Sequence, residues 1–240
     1  MKLNQVHYID KRKGKAHVSL DGEWEFCFTD EATKDVSSLL FSYTTEIPSS
    51  VYHSLYRAGV LAHPYHGTNS KKYHWVDEKV WYYRKRFTLD RPDFCGNAFL
   101  SFEGVAYYAR LWVNGVLLGD HEGMFGGPVC EVAELLNFDG ENEIILEVKA
   151  CNFGRKATFN CWNNGQNREI VPFNIARDAH TSNGDFIIVG LWNRVRLELV
   201  PKLHISRPYL YTERITEKSA RLYFETEIAD GHTDELSPFC

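Results

Sequence analysis

Residues 109–123 read ARLWVNGVLLGDHEG. Asn114-Gly115 sits between two apolar runs. Asn and Gly tolerate positive φ, which both central residues of a two-residue hairpin turn need, so the stretch predicts a β-hairpin. The same reading spreads outward. In VSLDGEWEFCF, residues 18–28, Trp24, Phe26 and Phe28 alternate with Glu23 and Glu25, a period of two that predicts a half-buried strand. Residues 80–89, VWYYRKRFTL, return to extended structure, and NAFLSFEGV follows with Leu100 and Phe102 opposed to Phe99 and Ser101. GENEIILEVKA aligns Ile144, Leu146 and Val148. RVRLELV turns Val195, Leu197 and Leu199 one way and Arg194, Arg196 and Glu198 the other.

Helical signals are few. In IPSSVYHSLYRAGV, Ser49 or Ser50 can cap, Val51, Leu55 and Tyr56 share a face, and Gly59 can end the turn. One short helix is expected at about 50–58, with a further helical turn in EVAELLNF. GMFGGP at 123–128 is a glycine-rich bend. Many short strands with one or two small helices make an all-β sandwich the expected class.

Composition narrows the function. The formal charge of −5 lacks the basic surplus of a nucleic-acid binder, and KRKGK at Lys11–Lys15 is a short solvated arm. No apolar run approaches the roughly 20 residues of a membrane span, so no membrane partner is expected. The N-terminus shows no apolar core of a signal peptide, so a cytoplasmic location is the expectation. The six cysteines, with irregular spacing and no CxxC, read as reduced thiols.

Chemistry concentrates in residues 63–75, HPYHGTNSKKYHW. His63 and His66 are three apart, a spacing that suits metal ligands on a helix, but Pro64 and Gly67 oppose helix there. We therefore expect a long loop whose histidines bond locally, and neither metal nor cofactor. Asn69 can donate and accept at once. Tyr65, Tyr73 and Trp75 either stack on the C–H faces of sugars or cover the sandwich edge. Asn142-Glu143 resembles a catalytic-acid setting, yet a polar turn before a strand explains it. No GxSxG elbow and no GxxxxGK phosphate loop occurs.

The order of segments carries more than any one of them. LDGEWEF, IPSSVYHSLYRAGVLAHPYHGTN, WVDEKVWYYRKRF, LSFEGVAYYARLWVNGVLLGDHEGMF and VGLWNRVRLEL are collinear over about residues 18–200. That series resembles the N-terminal domain of glycoside hydrolase family 2. The second segment is similar to one most developed in β-mannosidases, with His63-Pro64-Tyr65 where relatives carry Asp-Pro-Tyr and Ser49 where they carry Gly.

The resemblance implies a jelly-roll, galactose-binding-domain-like sandwich over residues 1–202. It also implies the first strands of an immunoglobulin-like sandwich over residues 203–240, with strands at Leu210–Ile215 and Ala220–Ile228. In the family a (β/α)8 barrel carries both catalytic glutamates, so no catalytic residue is expected here. The implied partners are the remaining domains of a retaining exo-β-glycosidase of β-mannosidase or β-galactosidase type, and its sugar substrate. Asp185 matches the family's aspartate that reaches a substrate hydroxyl, without its flanking tryptophans. Asn69, Trp75 and Tyr65 would shape the rim. A stand-alone carbohydrate-binding module and a purely structural or oligomerisation sandwich are the other classes consistent with the sequence.

Overall fold

The computed structural model describes residues 16–90, 96–151, 153 and 188–229. The chain opens with β1 (Ala16–Ser19), β2 (Gly22–Thr29) and β3 (Tyr43–Ile47), and then forms helix α1 (Val51–Arg57). A 3-10 helix at Asn69–Glu78 leads into β4 (Val80–Thr88). Next come β5 (Asn97–Phe102), β6 (Val105–Ala106), β7 (Tyr108–Val113), β8 (Val116–Glu122), β9 (Val129–Glu131) and β10 (Glu141–Lys149). The last elements are β11 (Gly190–Leu191), β12 (Val195–Val200), β13 (His204–Ile215) and β14 (Ala220–Ala229).

Among the described residues two larger antiparallel sheets form the sandwich. One has the order β3-β2-β4-β10-β7-β8 and the other β1-β12-β5-β9. Their facing residues make the main core: Trp24, Phe26, Trp81, Tyr83, Leu111, Ile144 and Leu146 from the first, and Leu100, Phe102, Cys130, Val195, Leu197 and Leu199 from the second. Each such fully buried large side chain contributes about 1.5–3 kcal/mol. The alternation read in β2, β10 and β12 is therefore the sandwich interior, and the all-β class holds.

The LDGEW opening is where the chain changes sheets. Leu20 is buried, and its amide donates to the Val195 carbonyl at 2.9 Å. The Val195 amide donates to Asp21 Oδ1 at 2.8 Å, and Trp24 Nε1 donates to the Leu20 carbonyl at 2.7 Å. These bonds tie the start of β2 to β12 across the sandwich.

The hairpin expected at Asn114-Gly115 joins β7 to β8, with φ of 48° and 81° at its two residues. The Asn-Glu pair beside it is structural. Asn142 is fully buried, and its Oδ1 accepts from the Asn137 amide at 2.7 Å and from Asn114 Nδ2 at 2.9 Å. Glu143 pairs with Arg86 at 3.1 Å. The expected turn in EVAELLNF is a single turn, in which the Leu135 and Leu136 amides both donate to the Val132 carbonyl.

A second, smaller cluster covers the outer face of the six-stranded sheet. Cys27, Val80, Tyr82, Trp112 and Ile145 lie beneath Val36, Leu39, Phe41 and Phe153. Glu147 is buried there because Tyr82 donates to it at 2.8 Å and Lys149 pairs with it at 2.6 Å. Burial pushes the Cys27 thiol up to about 11, which makes it a packing residue rather than a nucleophile. Cys27, Cys130 and Cys151 are all buried.

The final hairpin, β13 with β14, forms its own two-stranded sheet. Both strands are longer than the sequence runs suggest. Among the described residues no helix is long and apolar enough to cross a membrane.

Candidate functional site

Residues 47–69 set up the site. The backbone leaves β3 and enters α1, whose first turn is capped by Ser50 Oγ accepting from the His53 amide at 3.3 Å. Ser49 is buried instead, with Oγ 3.2 Å from His53 Nδ1 and 3.2 Å from Ser54 Oγ. Val51 and Leu55 drive the helix onto the core. Tyr56, expected on that same face, is half exposed.

β11 holds α1 from the other side. The Ser49 amide donates to the Leu191 carbonyl at 2.7 Å, and the Val51 amide donates to the Val189 carbonyl at 2.9 Å. β11 pairs with β6, so the start of α1, residues 189–191 and residues 105–106 form one hydrogen-bonded strip. Trp192 follows at once. Its Nε1 donates to the Met124 carbonyl at 3.0 Å, which fixes the indole against the glycine-rich bend.

The 63–75 stretch divides in two, which corrects the expectation of one long loop. Residues 63–68 are irregular, but Asn69–Glu78 forms a 3-10 helix. Pro64 and Gly67 precede it and do not interrupt it. Tyr73 is buried, and its hydroxyl donates to the Ala62 carbonyl. Burial pushes that phenol up, so it stays a donor.

The four residues expected at the rim fall in different surroundings. Trp75 is half-buried against the core, with ring centroids 5.2 Å from Phe28 and 5.9 Å from Trp81. Asn69 is occupied locally: Nδ2 donates to the His63 carbonyl at 3.1 Å and Oδ1 accepts from Lys72 Nζ at 3.3 Å. Tyr65 is 79% exposed, with its ring 5.8 Å from His63. Asp185 lies outside the described residues. Asn69 and Trp75 thus belong to the 3-10 helix, while Tyr65 faces another cleft.

That cleft, of about 490 Å³, is lined by the cap residue Ser50 and by Tyr52, His53 and Tyr56 of α1, by His63, Pro64 and Tyr65, and by Met124, Ile188 and Trp192. His63 makes an edge-on contact with Tyr56 at 5.4 Å and stacks on His66 at 4.4 Å. The histidines are therefore ring partners in an aromatic cluster. Among the described residues no three His, Cys, Asp or Glu side chains converge as a metal site. Sequence reading missed His53, Tyr56 and Trp192. The i, i+3 spacing of His53 and Tyr56 on a short helix was the available signal. Nothing local pointed Trp192 to them.

Residues 24–184 match the family described as glycosyl hydrolase 2 galactose-binding domain-like. The chain is 25% identical over 231 residues to "Beta-mannosidase B" of Aspergillus terreus, covering 92% of this chain and 25% of that protein. It is 30% identical over 185 residues to a "Beta-glucuronidase" of Formosa agariphila, covering 72% of this chain and 17% of that one. The fold matches a β-D-mannosidase from Dictyoglomus thermophilum with a TM-score of 0.63 at 23% identity, over 89% of this chain and 26% of the other. It matches a Ruminococcus gnavus β-glucuronidase with a TM-score of 0.65 at 18% identity, over 93% of this chain and 34% of the other. The chain spans about a quarter or less of the length of these curated relatives. With its match running over two thirds of the sequence, from β2 to just before Asp185, this chain belongs to the glycosyl hydrolase 2 galactose-binding domain-like family.

Proposed function

We propose that this chain is the non-catalytic sugar-binding domain of a retaining exo-β-glycosidase that acts on terminal β-linked sugars. The observation that carries the reading is the collinear family match over residues 24–184, together with relatives named as β-mannosidases and β-glucuronidases. An exo site is a pocket and must be closed on the non-reducing side of the sugar. A segment from a neighbouring domain does this and adds specificity. In this reading Asp185 accepts hydrogen bonds from a sugar hydroxyl, and Asn69 and Trp75 shape the rim. Hydrolysis itself, through a covalent glycosyl intermediate between two carboxylates, belongs to a barrel outside these residues.

The β13–β14 hairpin fits the same reading as the first strands of an immunoglobulin-like sandwich. Leu210 and Phe224 lie opposite each other on it, and both are more than half exposed. Apolar cross-strand pairs of this kind are usually covered by a second sheet.

The test is an assay of the purified chain on the 4-nitrophenyl β-D-mannoside, galactoside and glucuronide. The expected result is no release of nitrophenol, and sustained turnover overturns the reading. In the parent enzyme Asp185→Asn should lower kcat/KM by roughly ten- to a hundredfold, the effect of losing one charged hydrogen bond. Unchanged kcat/KM removes Asp185 from the rim.

A further inference from the structure

The cleft between α1 and residues 63–65 has a lining dominated by aromatic rings. Tyr52, Tyr56, Pro64, Tyr65, Met124, Ile188 and Trp192 present ring faces and hydrocarbon beside Ser50, His53 and His63, and among the described residues no carboxylate or amide side chain lines it. A buried pyranose needs a partner for each of its hydroxyls, and the polar atoms of this lining are the hydroxyls of Ser50 and the tyrosines and the two imidazoles. An aromatic ring has no such need, and it gains from edge-on and offset contacts with other rings. The volume of about 490 Å³ lies within the ~300–1,000 Å³ typical of small-molecule sites.

The walls are fixed before any ligand arrives. The Trp192 indole is held by its bond to the Met124 carbonyl, and His53 Nδ1 lies 3.2 Å from Ser49 Oγ. His63 Nδ1 accepts from the Tyr65 amide at 3.3 Å, so the neutral imidazole carries its proton on Nε2 as a donor. Two imidazoles among these rings, with no carboxylate among the described lining residues, complement an oxygen acceptor on the edge of a flat ring. Tyr65, 79% exposed, stands at the open edge of the cleft with its ring 5.8 Å from His63.

We propose that this cleft is an aryl-binding subsite, taking the phenyl ring of an aryl β-glycoside and its phenolic oxygen. Only the description of that ring as an aglycone rests on the glycosidase reading above. The subsite is separate from Asn69 and Trp75, which sit on the 3-10 helix.

Saturation-transfer NMR on the whole 240-residue chain tests it, with phenyl β-D-mannopyranoside, methyl β-D-mannopyranoside and phenol as probes. The expected result is saturation of the phenyl protons in both aryl probes and none of the methyl glycoside. Tyr65→Ala should reduce the aryl signal at least fivefold at an unchanged melting temperature, and Tyr65→Phe should retain it. Absent aryl saturation, or a signal indifferent to Tyr65→Ala, overturns the subsite. Saturation confined to pyranose protons also overturns it while leaving the sugar-rim reading standing. That reading is decided independently by Asp185→Asn in the parent enzyme.

Discussion

Gly190 has no β-carbon because three atoms crowd the place one would take. A β-carbon there would lie 3.0 Å from the Tyr83 hydroxyl, 3.0 Å from the Val51 amide nitrogen and 3.1 Å from the Ser49 carbonyl. Its φ of 132° is also one that side chains rarely adopt. Gly190→Ala should therefore cost roughly 1–3 kcal/mol, read as a lower urea midpoint with an unchanged slope. An unchanged midpoint would mean that the strip joining α1, β11 and β6 is not held at this point. The contrast with Asn114-Gly115 shows what a sequence makes legible at this scale. That pair carries its turn within two adjacent residues. The crowding at Gly190 comes from Ser49, Val51 and Tyr83, which are distant in the chain and adjacent only once folded. The rim residues divide in the same way. The aromatic chemistry of Tyr65 and Trp75 could be read directly, whereas which ring meets solvent and which meets Trp81 depended on the packing of Phe28 and the core.

Between elements, the Asn142-Glu143 pair separates a residue that organises from one that decorates. Asn142 joins three stretches: Nδ2 donates to the Asn137 carbonyl at 2.7 Å, while Oδ1 accepts from Asn137 and Asn114. Asn114 extends the link, with Oδ1 accepting from the Glu143 amide at 2.7 Å and Nδ2 donating to the Leu135 carbonyl at 2.6 Å. Asn142→Ala strips buried groups of their partners and should cost about 1–3 kcal/mol per unsatisfied group. Glu143→Gln weakens its ion pairs with Arg86 at 3.1 Å and Arg84 at 4.0 Å and should cost under about 1 kcal/mol. Thermal melts of the two variants check the ordering, and equal losses would contradict it. The sequence showed a polar turn here but not its reach, because two of the three stretches it links are brought in by the hairpin and the Val132 turn. The 3-10 helix at Asn69–Glu78 was missed for a related reason. Its i, i+3 repeat places Tyr73 and Val76 on the core, and a reading weighted by Pro64 and Gly67 extended their effect past the point where they act.

Across the molecule, the two sheets follow from alternation in β2, β10 and β12, and that pattern was readable. The second cluster was not, because its cover comes from Val36, Leu39, Phe41 and Phe153, which lie in segments without strand periodicity. The same comparison of burial sets the sandwich apart from the β13–β14 hairpin. Strands β4 and β10 are each paired on both edges and bury Trp81, Tyr83, Ile144 and Leu146 almost completely. In the hairpin Ile205, Leu210, Phe224 and Ile228 are 57–70% exposed, and its firmest ring contact is internal, Tyr211 to Tyr223 at 4.9 Å. A two-stranded ribbon on its own is marginally stable in water. Its opening should therefore be a local event, with a free energy well below that of the sandwich. Hydrogen exchange followed by mass spectrometry tests this on the intact chain. Amides of residues 204–229 should exchange orders of magnitude faster than those of β4 and β10, while a chain truncated after Leu203 should melt at nearly the same temperature. Matching protection in the hairpin and in β10, or a large fall in melting temperature on truncation, would mean that the hairpin and the sandwich unfold as one unit.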